Sequence, residues 1–146
     1  MAFQTYLQKA QLAKWLIYMG VLMSLIPDDG GELDGMRQRK GEATAKGGQA
    51  FLRLLTLAET GDSGQAHTVA RFIASIYNGQ DFPYDLYDPR WVDVAIGDDM
   101  LTCLDALRWA QADLHTLVPD RDQRVRAVLT RWGIEWPVHP EARPLP

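Results

Sequence analysis

The sequence holds one cysteine, Cys103, in 146 residues. An intrachain disulfide and a zinc site built on several thiolates are therefore excluded. Cys103 lies beside Met100, Leu101 and Leu104, with no adjacent His or Lys to lower its pKa. It is expected to be a small buried side chain in a reducing compartment. The chain also lacks G-x-x-x-x-G-K-[ST], H-E-x-x-H, G-x-S-x-G and an EF-hand ligand run, so each site that those spacings build is missing. His67, His115 and His139 fall in three different segments, and no pair has the i, i+4 spacing with which one helix holds a metal. A Ser-His-Asp set stays open, because its members meet only in space. Long hydrophobic runs are absent too. The longest, residues 15–26, is well short of the ~20 residues that cross a bilayer, and Pro27-Asp28-Asp29-Gly30-Gly31 follows it where a signal peptide would carry a small-x-small cleavage site. It is read as a helix that packs on the body or on a second copy, with a weak signal-anchor as the alternative. There is no internal repeat and no β alternation.

What is present suits a folded domain. The composition is 47% hydrophobic and 23% charged, which argues against wholesale disorder. Five Trp, five Tyr and four Phe can each bury about 150–250 Å². The expected fold class is all-α, with about five helices in a compact bundle and a long apolar N-terminal helix joined by a Gly-rich linker. The first helix, residues 3–26, carries Phe3, Tyr6, Leu7, Ala10, Ala13, Ile17 and Gly20 at three- and four-residue steps, turns apolar on all sides beyond Trp15, and stops at Pro27. Residues 28–48 interleave six glycines with charged residues. Glycine loses much backbone freedom on ordering, and little apolar surface offsets that loss. A flexible linker is predicted there.

A helical domain is expected over residues 49–136. Its second helix, residues 49–60, places Phe51, Leu54, Leu55 and Ala58 on one stripe, with Gly61 as its stop. Asp62-Ser63-Gly64-Gln65 has capping-box spacing with Asp62 as N-cap, opening a third helix to Tyr77 with Val69, Phe72, Ile73 and Ile76 inward. Asp88-Pro89 reads as N-cap and Pro at N1 of a fourth helix to Leu114. Trp91, Val94, Met100, Leu101, Leu104 and Leu107 are among its apolar positions, and Gly97 is a candidate kink. The last helix runs from Asp120 to Trp132, with Val125, Val128 and Leu129 inward and Gly133 as its stop. A disordered tail, residues 137–146, holds four of the eight prolines.

Charge is uneven along the chain. The formal net charge is −4, yet residues 79–119 alone hold eight Asp against Arg90 and Arg108, a net −6. Residues 120–146 carry +1, with Arg121, Arg124 and Arg131 as a basic edge. Acidic fields attract basic surfaces and speed association with them, and a duplex binder shows the opposite balance. The candidate partner-binding residues are Phe82, Tyr84, Asp85, Tyr87, Asp93, Asp98 and Asp99, an aromatic segment flanked by carboxylates. The competing reading is that the rings close the core over the helix ends and that the acids are a solvated face.

The runs Asp62-Ser63-Gly64-Gln65-Ala66, Val69-Ala70-Arg71-Phe72 and Trp91-Val92-Asp93-Val94-Ala95-Ile96-Gly97-Asp98-Asp99-Met100-Leu101 resemble an uncharacterised helical domain family of bacterial plasmids and integrative elements, over about residues 50–136. The resemblance implies an accessory protein of a mobile element and carries over no catalytic residue. In its small size and acidity the chain is similar to inhibitors of CRISPR–Cas complexes.

Taken together, these features lead to the expectation of a non-enzymatic, cytoplasmic interaction module that takes no cofactor or metal. It would act as an anti-CRISPR-like inhibitor by occupying a basic surface on a larger complex. A homodimer through residues 3–26 is a further expectation, with no membrane partner. Two alternatives use other chemistry: a metal-dependent nuclease or hydrolase on Asp93, Asp98 and Asp99, and a nucleic-acid-binding regulator on Arg121, Arg124 and Arg131.

Overall fold

The computed structural model describes residues 2–25 and 29–138, with side chains described for 11–25 and 30–138. Among these residues there are five α-helices and no strand: α1 (Ala2–Ser24), α2 (Asp29–Thr60), α3 (Gly64–Tyr77), α4 (Val94–Trp109) and α5 (Arg121–Arg131). Short 3-10 turns lie at Asp88–Trp91 and Leu114–Leu117. The chain divides into two units, Met1–Arg37 and Gln38–Pro146, and the boundary falls inside α2.

In the first unit, every described side chain of α1 is exposed, including Trp15, Leu16, Ile17 and Tyr18. The apolar residues circle the helix and form no single stripe. Among the described residues no helix is long and apolar enough to cross a membrane. The expected stop at Pro27, and residues 139–146 of the disordered tail expected over 137–146, lie outside the described residues.

The flexible linker expected over residues 28–48 is corrected: residues 29–48 are helical and continue without a break to Thr60. Local pairs support the exposed part, where Gln38 Nε2 donates to Glu42 Oε1 at 2.9 Å and Arg37 pairs with Asp34 three residues back. Tertiary packing supports the rest. Ala43, Thr44 and Gly47 are buried, and a Cβ added at Gly47 would collide with the Ala106 Cβ and come within 3.1 Å of Leu114 Cδ2. A Cβ at Gly48 would reach 3.0 Å from Leu117 Cδ1. These two glycines let α2 approach α4 and the 114–117 turn closely, so their bareness serves packing.

The second unit is built on the stripes the periodicity marks. Phe51, Leu54, Leu55 and Ala58 of α2, Val69, Phe72 and Ile73 of α3, and Val125, Val128 and Leu129 of α5 form one core with Met100, Cys103, Ala106 and Leu114. Cys103 is buried there, its thiol 3.7 Å from the Gly47 carbonyl. Burial pushes that thiol up to about 12, with the Asp99 carboxylate adding to the shift.

Three helix boundaries differ from expectation. The N-cap of α3 is Ser63, whose hydroxyl accepts from the Ala66 N–H at 3.2 Å. Gln65 does not close a capping box; its Oε1 accepts from the Asp93 N–H at 2.8 Å, tying α3 to the start of α4. The expected fourth helix is interrupted at Val92–Asp93 and not at Gly97, because both residues are extended, with ψ of 157° and 152°. It also ends earlier, at Ala110 in the left-handed region. The α5 N-cap, Asp120, is left-handed as well and makes no side-chain cap. Gly133, at φ 64°, stops α5 as a glycine can.

Candidate functional site

The segment between α3 and α4 sorts its aromatic residues into two groups. Phe82 is buried, with its ring 4.8 Å from Trp136 and edge-on to it. Tyr84 is half-buried, edge-on to Phe72 at 5.4 Å. These two expected contact residues therefore belong to the core or its margin, because the segment folds back over the end of α3: Asn78 caps that helix, and its Nδ2 donates to Asp81 Oδ2 at 2.7 Å. Tyr87 and Trp91 face solvent, and Arg90 lies over the Tyr87 ring at 4.5 Å.

Exposed apolar side chains surround them. Leu86 is 79% exposed, Trp91 74% and Val94 80%, and Leu101 and Leu104 are also open. Val94, Leu101 and Leu104, expected as apolar positions of the fourth helix, lie on its exposed side. Within α4 only Met100, Cys103 and Ala106 are buried. Periodicity across residues 88–114 assumed one continuous helix and could not show this.

The acidic residues are partly neutralised within the fold. Asp99 takes Arg53 in a two-pronged pair, Nε to Oδ2 at 2.9 Å and Nη2 to Oδ1 at 2.6 Å. The contact with Asp99 raises the Arg53 pKa further. Asp88 pairs with Arg71 at 3.0 Å and Asp105 with Arg108 at 2.6 Å. Asp85 accepts from the Tyr87 N–H at 2.9 Å and stays exposed. Asp93 and Asp98 are exposed, and neither carboxylate has a hydrogen-bond or ion-pair partner among the described residues. Among the candidate residues, Asp85, Asp93 and Asp98 are thus exposed carboxylates outside any ion pair among the described residues, and Asp99 is held in a structural pair. Among the described residues no three His, Cys, Asp or Glu side chains gather where they could hold a metal ion, so Asp93, Asp98 and Asp99 do not form such a set.

Two arginines of the basic edge of α5 also have partners within the fold. Arg124 holds Glu59 of α2 through two hydrogen bonds of 2.7 Å, an arrangement that raises its pKa. Arg131 donates to the Gly61 carbonyl at 2.8 Å and lies near the Trp132 ring. The Trp132 indole N–H donates to the Ala58 carbonyl at 2.8 Å. Arg121 lies 4.0 Å from Asp122. Two of the three arginines therefore fasten α5 to the end of α2 and are not a free phosphate-binding row. The histidines are structural neighbours of aromatic rings, His67 stacked on Trp132 and His115 edge-on to Tyr77; His139 lies outside the described residues.

Two hollows remain. One, about 600 Å³, is formed by the continuous stretch 116–123. The other, about 230 Å³, opens between α3, the intervening segment and α4, directly under Leu86, Leu101 and Leu104. Comparison with known proteins finds a protein family, described as a family of unknown function (DUF7673), that matches residues 48–133. No curated protein and no solved structure matches the chain.

Proposed function

The chain belongs to this family of unknown function (DUF7673), and on that premise we propose that it is a non-catalytic interaction module that docks a protein partner through the face formed by residues 85–104. One observation carries this reading. Leu86, Trp91, Val94 and Leu101 are open to water beside the unpaired carboxylates of Asp93 and Asp98. Exposed apolar clusters rimmed by charge mark interaction sites, and buried aromatic anchors carry most of the energy of such contacts. The partner offers a basic rim around an apolar centre.

The more specific reading is an inhibitor, carried by a bacterial mobile element, that occupies a basic surface of a host defence complex in the anti-CRISPR manner. Its support is the net −6 of residues 79–119. Three of those eight Asp are paired with Arg53, Arg71 and Arg108, and on the face of residues 85–104 steering falls to Asp85, Asp93 and Asp98. A homodimer through α1 draws its support from the exposed apolar side chains of residues 12–25. The hydrolase alternative on Asp93, Asp98 and Asp99 lacks a converging ligand set among the described residues. The nucleic-acid alternative on Arg121, Arg124 and Arg131 is weakened by the structural pairs of the last two.

The test is affinity capture from host lysate with the full chain, Trp91→Ser and Asp98→Lys. Capture of one partner by the wild type, its loss with either variant and its weakening in high salt are expected. Equal capture by all three proteins would discard residues 85–104 as the contact. Asp98 is the better site for reversal, because a change at Asp99 also breaks its pair with Arg53.

A further inference from the structure

The 230 Å³ cavity beneath the exposed face has mostly apolar walls, among them Phe72 and Ile76 from α3, Leu86 and Pro89 from the segment, and Met100 and Leu104 from α4, with Ser75 as a polar exception. Tyr84 lines it too, and the Tyr84 hydroxyl is buried with no hydrogen-bond partner among the described residues. A buried hydroxyl left unpaired costs free energy that an incoming polar atom recovers. The volume falls below the roughly 300–1,000 Å³ of whole small-molecule sites, and suits one large side chain. Charge narrows the choice further. Asp85 adjoins the wall residue Leu86, and Asp98 adjoins Gly97 and shares a neighbouring hollow with Leu101. Both carboxylates are exposed.

We propose that this cavity is an anchor slot for a single aromatic side chain with a hydrogen-bonding tip, tyrosine or tryptophan, presented by a partner segment whose flanking residues are basic. The slot rests on the interaction reading above and names what the partner must offer. The ring is buried against the leucines and Phe72, its polar tip meets the Tyr84 hydroxyl, and the flanking cations meet Asp85 and Asp98. Burial pushes the Tyr84 hydroxyl up to about 12, assisted by the nearby Asp88 carboxylate and opposed by Arg71. It therefore remains a neutral group able to donate or accept throughout the physiological range. Aromatic side chains with a polar tip are the commonest anchors of protein interfaces for the same reason: a large apolar body plus one directed bond.

Gly97 provides a clean test. It lines the cavity inside α4, and a Cβ there would meet only Val92 Cγ2, at 4.0 Å. Gly97→Leu should fill the slot while improving helix propensity. The full chain is titrated with p-cresol, indole and toluene, the free forms of the Tyr, Trp and Phe side chains, and amide NMR shifts are followed. Saturable shifts around the cavity are expected, with p-cresol binding roughly tenfold more tightly than toluene, the size of one net hydrogen bond. Tyr84→Phe should equalise the two, and Gly97→Leu should abolish both with the circular dichroism spectrum unchanged. Absence of saturable binding, or a p-cresol preference that survives Tyr84→Phe, overturns the proposal. Sedimentation of the same proteins covers the other occupant: a dimer that Gly97→Leu converts to monomer means a second copy fills the slot, and this also overturns it. If the probes fail while Trp91→Ser and Asp98→Lys still abolish capture, the slot falls and the interaction reading stands.

Discussion

The two ends of α2 carry the same unusual residue in different surroundings. Gly31, Gly35 and Gly41 have open space where a Cβ would stand, whereas Gly47 and Gly48 touch Ala106, Leu114 and Leu117 there. In the first stretch glycine only weakens the helix, by about 0.5–1 kcal/mol per residue relative to alanine. In the second it permits a close approach that any side chain would block. Glycine content therefore says nothing by itself about order. What decides is whether another element occupies the space the missing side chain leaves.

The largest expected effect concerns the packed end, through the thiol facing Gly47. Burial pushes the Cys103 thiol up to about 12, well above the ordinary thiol range near 9. The native state thus holds its proton where the unfolded chain has released it. The stability this contributes is complete below pH 9 and is lost as pH rises toward 12, at about 1.4 kcal/mol per pH unit. Urea unfolding from pH 8 to 10, below the range where Tyr84 adds its own loss, should show that decline, and Cys103→Ala should flatten it; parallel declines would remove Cys103 as the cause. Gly47→Val is next. Overpacking against Ala106 and Leu114 should destabilise the fold by about 3 kcal/mol, read from the urea midpoint. Gly35→Ala, at the open end, is the smallest and has the opposite sign, a gain of about 0.5–1 kcal/mol. If Gly47→Val and Gly35→Ala shift the midpoint alike, the two ends of the helix do not differ as described.

Much of the second unit was legible in the residues. The stripes Phe51-Leu54-Leu55-Ala58, Val69-Phe72-Ile73 and Val125-Val128-Leu129 all face the core, because a 3.6-residue period needs only neighbouring positions to be read. The cap of α3 missed by one residue: Asp62 and Ser63 are both good N-caps, and only the backbone conformation at Ser63 decides between them. Less of the candidate site was legible. Asp93 and Asp98 remain exposed as an acidic face requires, but Phe82 is buried, and Asp99 and Arg124 are committed to Arg53 and Glu59. Those partners lie 46 and 65 residues away in sequence, beyond the reach of any local pattern. The interruption at Val92–Asp93 carries no glycine, and its one proline, Pro89, also opens helices. The interruption was therefore hidden.

By itself, the amino-acid order determined the helical class, the inward stripes, the single inert thiol and the absence of familiar catalytic spacings, all of which depend on residue type and short-range period. Tertiary structure alone decided that residues 29–48 are helix, that two arginines of α5 are fasteners, and that a cavity with an unpaired hydroxyl lies beneath exposed leucines. The reason is physical: close approach, ion pairing and cavities are properties of surfaces brought together from distant parts of the chain, and their energies exist only once those surfaces meet.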